Sequence, residues 1–370
     1  MAPLLPTIQE HFKHVPHSEI LVPLLLTTPA LCIALLSPLA GMASDQFGPR
    51  RLLLWSLGVY SIAGTAPMYL QSLPSIFASR LLVGVAEAGA LISSMALLSH
   101  YFAGDARQKW FAYQNVVLPL LAALILTVTG RLGDFSWRAT FMMYAIGALM
   151  WILALVFLHE IPHELMRGRL IRFPPLRHLL PIIVIAVPGS IAFYAAPIEL
   201  SYLLRRHGFE LPSVSANVTA VGLVLGPLGA LVSRRLTHWS VGKVVSLAML
   251  AMGIGLATMA VGARMPIIAC GLILQQMGGS LMITTGSTFA VGLASPEDRG
   301  VFSGAWWFCY MMAQFAAPLF LTALLAITND QSATVLTAGA LAGVSCAWLL
   351  TWRVFGNAVV SPETPAALAH

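Results

Sequence analysis

An all-α polytopic membrane protein is the fold class this sequence predicts, and three observations predict it. Of 370 residues, 58% are hydrophobic and 9% charged, where a soluble domain carries about 25% charged residues. The apolar residues gather into runs of roughly 20, the length a helix needs to cross a bilayer. Short connections join the runs and carry nearly all the lysines and arginines. The formal net charge of +6 is scattered over those connections, so it speaks of membrane topology and not of a nucleic-acid partner. Cys32, Cys270, Cys309 and Cys346 lie within apolar runs and form no CxxC pair. Neither a disulfide, a metal nor any cofactor is therefore implied. Met1 is not followed by a basic region and an apolar core, so a cleavable leader is not expected.

In chain order, residues 1–19 read as polar and irregular, with His11, His14 and His17 in a loop. Eleven spans follow, at 20–40, 52–70, 75–99, 109–130, 139–158, 179–203, 214–233, 244–262, 266–294, 301–327 and 333–352. Only the connection at 159–178 is long enough to be a mid-chain linker. Placing the 41–51 connection in the cytoplasm puts Arg50, Arg51, Arg107, Lys109, Arg167, Arg169, Arg172, Arg177, Arg234, Arg235, Lys243, Arg299 and Arg353 inside. Lys13, Arg131, Arg138, Arg205, Arg206 and Arg264 fall outside, and Arg80 falls within a span. The bias of 13 to 6 supports that orientation.

The chain is organised around Gly41-Met-Ala-Ser-Asp45-Gln-Phe-Gly48-Pro-Arg50-Arg51, which sits between the first two spans. A short loop with two glycines forces its flanking helices to lie antiparallel and close. Asp45 falls at a helix boundary, where a carboxylate can meet a basic neighbour or another helix's N-terminus. The spacing of Gly41, Asp45, Gly48 and Arg50 resembles the signature loop of the major facilitator superfamily of secondary transporters. Pro49 departs from the pattern, and Arg51 can stand in for the second basic residue. A charged turn between membrane helices is the plain alternative.

That resemblance implies two pseudo-symmetric bundles of six helices around a central cavity, and two echoes fit it. Ala2-Pro3-Leu4 recurs as Ala196-Pro197-Ile198, and Glu87-Ala-Gly89 recurs as Gln276-Met-Gly278. The second half, however, closes a full span with its Ala-Pro pair, whereas the first half opens the chain with it. The expectation is that one helix of the pattern is missing before Met1, encoded in frame upstream. The bounds expected are 1–158 for the N-terminal bundle (family helices 2–6), 159–178 for a cytoplasmic central loop, 179–353 for the C-terminal bundle and 354–370 for a cytoplasmic tail.

Arg80 and Glu87 share one apolar span, seven residues and roughly 10 Å apart along nearly one face. Ionisable groups at membrane depth are functional candidates by default. Arg80-x3-Gly84-x2-Glu87-Ala-Gly89 also resembles the superfamily's fourth-helix motif, whose arginine is associated with proton coupling. A structural ion pair, or an arginine lying among outer headgroups, are the alternatives. Gln114, Asn115 and Pro119 belong to the fifth helix of the family pattern. There 117–122 lacks the glycines that drug–proton antiporters carry. Gln114 and Asn115 either line a polar cavity or bond between helices. Gln275, Gln276 and Gln314, with Trp306, Trp307 and Tyr310, lie in spans that flank the cavity in this family. Amides and aromatics suit an amphiphilic solute, and packing between helices is the equal alternative. Glu199 reads as a substrate-facing carboxylate or a wet boundary residue.

Two metal-like patterns are set aside. His159-Glu160-Ile-Pro-His163 spells a zinc-protease motif, but Pro162 breaks the helix both imidazoles need. The histidines at 11, 14 and 17 suit a solvated loop better than a metal site. The expected function is alternating-access transport of a small organic solute, proton-coupled, with export first and uptake second. A receptor or membrane enzyme without flux is the alternative class. The resemblance further implies a monomer working in the cytoplasmic membrane of a bacterium.

Overall fold

The computed structural model describes residues 1–102, 104–159, 176–236, 238–294 and 298–351. Most of the expected central loop, residues 160–163 of the protease-like motif and the expected tail lie outside the described residues. The chain divides into two compact units between Leu170 and Ile171.

The first unit holds α1 (Leu5–His11), α2 (Ser18–Phe47), α3 (Pro49–Thr65), α4 (Leu73–Tyr101), α5 (Gly104–Phe135), a 3-10 turn (Ala139–Ala145) and α6 (Ile146–Phe157). The second holds α7 (Leu176–Arg206), α8 (Pro212–Leu225), α9 (Pro227–Arg235), α10 (Val241–Val261), α11 (Met265–Gly292), α12 (Arg299–Thr328) and α13 (Gln331–Thr351). Among the described residues nine helical stretches are long and apolar enough to cross a membrane. Two further expected spans correspond to α3, whose helix has 17 residues, and to α13.

Several boundaries differ from the sequence reading, each for a local reason. The supposed loop at 41–51 is a single residue: α2 runs on to Phe47, Gly48 takes φ 87°, and Pro49 starts α3. Glycine supplies the positive φ without strain, and proline at the first helical position gives up a donor that had no partner anyway. Residues 1–19 are not irregular throughout. Leu4, Leu5, Ile8 and Phe12 fall at helical spacing, all four are buried, and α1 packs on α2. His11 and Phe12 lean on Trp137 at 5.3 and 6.0 Å between ring centres. The span at 214–233 is broken into α8 and α9 at Gly226, because Pro227 has no N–H for the helical ladder.

Close helix crossings use glycine where a side chain has no room. A Cβ on Gly84 of α4 would fall 2.7 Å from Cys32 Cβ and 2.8 Å from Pro29 Cα of α2. In the second unit, α10 meets α11 through Gly255, whose added Cβ would fall 2.6 Å from both Gly271 O and Gln275 N. Without a hydrophobic drive between helices in lipid, such backbone approach is what brings dispersion contacts together.

Candidate functional site

In the first unit the ionisable residues are placed by helix ends. Arg80 lies on α4 with 0% of its surface exposed, so protein encloses its guanidinium on every side. Its Nη2 donates to Ala63 O at 3.2 Å and Gly64 O at 3.1 Å. Those carbonyls belong to the last turn of α3, where the helix supplies no donors of its own. Arg80 is thus a C-terminal cap supplied from the neighbouring helix, and its positive charge meets the negative end of the α3 dipole. The guanidinium also faces the rings of Tyr144 at 4.8 Å and Phe141 at 5.2 Å. Its Nε and Nη1 have no hydrogen-bond partner among the described residues. Arg138 serves the same connection, donating to Leu70 O at 3.0 Å.

Glu87 is half-buried on α4. The hydrogen bonds of Arg80 go to α3 and not to Glu87, so the ion-pair alternative is not realised here. Gly41 and the half-buried Asp45 are helical, on α2, and Gly48 is the hinge. Arg50 donates from Nη2 to Leu155 O at 3.1 Å, in the last turn of α6, a second arginine cap. Arg51 is exposed. Gln114 lines a cleft of about 280 Å³ between α4 and α5, with Ser94, Met95, Leu98, Trp110, Tyr113 and Val117. The side chain of Asn115 lies outside the described set.

In the second unit three helices gather the remaining candidates. Gln275 of α11 is wholly buried and donates from Nε2 to Ala192 O at 3.0 Å and Phe193 O at 2.9 Å of α7. Its Oε1 has no partner among the described residues. Gln276 packs on α8 and on the break that follows it, where Cβ atoms built on Gly222 and Gly226 would each lie 3.3 Å from its side chain. Tyr310 of α12 is buried, and its backbone oxygen accepts from Ser190 Oγ at 2.8 Å. Its ring lies 6.3 Å from Tyr194 and 5.7 Å from Trp307. Gln314, one turn further along α12, is half-buried. Glu199 is set apart from this group. It is 5% exposed and accepts from Gln331 Nε2 of α13 at 2.7 Å, so it is not a wet boundary residue.

Sequence reading missed Tyr194, Ser190 and Thr285. The only signal was spacing, since Ser190 and Tyr194 are four residues apart on one face of α7. Among the described residues no three His, Cys, Asp or Glu side chains gather to hold a metal.

Long apolar helices in two units, with the guanidinium of Arg80 and the carboxylate of Glu199 buried among them, define a polytopic membrane protein. The chain belongs to the Major Facilitator Superfamily, whose family model matches residues 1–318. Its fold is that of the D-xylose–proton symporter, with a TM-score of 0.74 at 14% identity over 97% of this chain and 94% of that one. Mouse solute carrier family 22 member 12 is 33% identical over 105 residues, 26% of this chain and 17% of that protein. The 3-(3-hydroxy-phenyl)propionate transporter of Escherichia coli is 26% identical over 140 residues, 38% of this chain and 34% of the relative. The class G tetracycline resistance protein of Vibrio anguillarum is 29% identical over 145 residues, 38% and 36% of the two chains. The matched stretches thus span about a third or less of these relatives. The family and the apolar helices make this an integral membrane protein with the fold of secondary transporters.

Proposed function

We propose that this protein exports a small organic solute by alternating access, driven by protons, as a monomer in the cytoplasmic membrane of a bacterium. The observation that carries the coupling is the division of labour on α4. Arg80 is held as a stationary charge by the α3 carbonyls, while Glu87, half-buried and without a bond to Arg80, is left able to take up and release a proton. Arginine stays charged at every accessible pH, so it biases a neighbour and does not itself carry the proton. Glu199 is the second carboxylate sheltered in this way. The 41–51 stretch latches the cytoplasmic side through Asp45 and Arg50; Gln114 is assigned to the solute by the cleft it lines in the first unit, and Gln275, Gln276, Tyr310 and Gln314 are assigned to it in the second.

Export is supported by the partial likeness to a protein named for tetracycline resistance. Uptake on the same cycle is the second reading, supported by the likeness to a carrier named for a phenylpropionate rather than a resistance. Proteoliposomes loaded with a solute panel and given a pH gradient of either sign separate the two. Glu87→Gln imitates the protonated acid, so it should abolish gradient-driven net flux and leave solute exchange intact. Gradient-driven flux at the wild-type rate in Glu87→Gln removes the coupling role from this residue. Glu199→Gln is then the next variant to measure.

A further inference from the structure

The cleft between α4 and α5 is built from one face of each helix. Met95 and Leu98 line it from α4, and Trp110, Gln114 and Val117 recur at helical spacing on α5. Its walls are open to an occupant: Met95 is 43%, Trp110 46%, Val117 46% and Tyr113 60% exposed. The aromatic rings hold one another in place. Trp110 rests against Phe102 at 5.0 Å between ring centres and 37°, and Tyr113 meets Trp110 edge-on at 5.9 Å and 81°. A wall fixed in this way loses little freedom when something binds to it.

Charge, hydrogen bonding and size narrow what the cleft can hold. None of the described residues that line it is ionised. An ion entering the cleft therefore leaves water for a surface without a counter-charge. The half-buried Gln114 offers an amide that both donates and accepts, Trp110 an indole N–H, and Tyr113 a hydroxyl. Ser94 Oγ already donates to Leu91 O at 2.9 Å, so it remains only an acceptor. The volume of about 280 Å³ lies just below the range of about 300–1,000 Å³ that takes drug-sized ligands. One ring with a short substituent fits that space better than a fused system.

We propose that this cleft receives the solute in the first unit and selects a small uncharged amphiphile. One ring lies against Trp110 and Tyr113, and an amide or similar donor–acceptor group meets Gln114. This site rests on the transport reading and adds the class of solute to it. The exposed rings supply contact area, which is tolerant of detail, whereas Gln114 supplies the selection. A carboxylate or an ammonium in the same place breaks the match, because one neutral amide does not replace the hydration of a full charge.

The test uses the full chain in nanodiscs, with empty discs subtracted, and radiolabelled benzamide as the probe. Unlabelled benzamide should displace the label about tenfold better than benzoate or benzylamine, which keep ring and size but carry a charge. Gln114→Leu keeps the volume and removes the amide, so benzamide affinity should fall about fivefold, the worth of one hydrogen bond. Val117→Trp grows into the cleft from an exposed position, and should abolish displaceable binding at an unchanged melting temperature. Met95→Trp fills the cleft from the other helix and is the variant read if Val117→Trp melts early. No displaceable benzamide binding, a charged probe that competes as well as benzamide, binding that survives a filled cleft, or Gln114→Leu without effect overturns the proposal. Solute flux is measured separately in proteoliposomes. Flux of other solutes without benzamide binding sinks only the selection claim, and benzamide binding in the cleft with no flux of any solute sinks the carrier reading instead.

Discussion

Replacing Arg80 tests whether a buried arginine here is first a helix cap. Arg80→Ala removes two charge-assisted bonds, to Ala63 O and Gly64 O, and the cation–π faces of Tyr144 and Phe141. Bonds to a charged donor contribute about 1.5–3 kcal/mol each. The two carbonyls then stay buried with no replacement, while the cost of burying the charge is recovered. The net loss is about 3–5 kcal/mol, which lowers the unfolding temperature by on the order of 10 °C. Arg80→Lys keeps a point charge able to reach one carbonyl but loses the planar fork, so it should recover roughly half of the loss. The assay is a thermal scan of the purified full chain in detergent, paired with the pH profile of flux. If Arg80→Ala melts at the wild-type temperature, the cap is not stabilising and the argument from its bonds fails. If Arg80→Lys restores stability yet moves the pH profile, the arginine has a coupling role beyond capping.

Asp45→Asn keeps shape and removes charge, so insertion and melting should be unchanged while flux falls and thiol labelling from the cytoplasm rises; unchanged flux and labelling reduce Asp45 to an ordinary helix residue. A Cβ on Gly255 meets the α11 backbone, so Gly255→Ala should cost about 1–3 kcal/mol in the same thermal scan. Gly41 is the contrast, with nothing within 4 Å of an added Cβ; Gly41→Ala should leave stability equal or raise it by up to about 1 kcal/mol. Asp330, partly exposed between α12 and α13, caps α13 through Ala333 N–H at 3.1 Å and pairs with Arg206. The Ala333 N–H first, and then Arg206, hold its carboxyl below the ordinary range. A folded-state value below the unfolded one stabilises above the unfolded value near pH 4, and that support is lost as pH falls through the folded one. Asp330→Asn should therefore flatten any loss of α13 protection in hydrogen exchange below about pH 4.

The spanning helices were legible because membrane depth leaves no other way to satisfy the backbone, and apolar length then reports the element directly. Helix ends were less so. Gly41 and Asp45 look like loop residues, yet α2 continues to Phe47, because a single glycine with positive φ is enough to turn the chain. Arg80 and Glu87 were visible as charges in apolar sequence, but not the partners of Arg80. Those are main-chain oxygens at 63 and 64, and a carbonyl has no letter in a sequence. For the same reason the Gln275 amide could be named as a candidate while its use by Ala192 and Phe193 could not. Tyr194 and Ser190 stayed hidden because neither is costly at membrane depth, so nothing in composition singled them out.

The α3 carbonyls that hold Arg80 bear on how this protein enters a membrane. An arginine at the centre of a segment costs about 2.5–3.5 kcal/mol on insertion, and Arg80, in the first third of α4, carries a part of that cost. Only residues 66–72 separate the end of α3 from the start of α4, so the stretch that satisfies this guanidinium leaves the ribosome immediately before it. Synthesis order thus favours delivery of α3 and α4 as one hairpin, with the arginine's hydrogen bonds made inside the pair. An α4 presented alone carries that penalty unrelieved. Moving the α3 segment later in the chain should lower the inserted fraction of α4 even though every residue of both helices is kept.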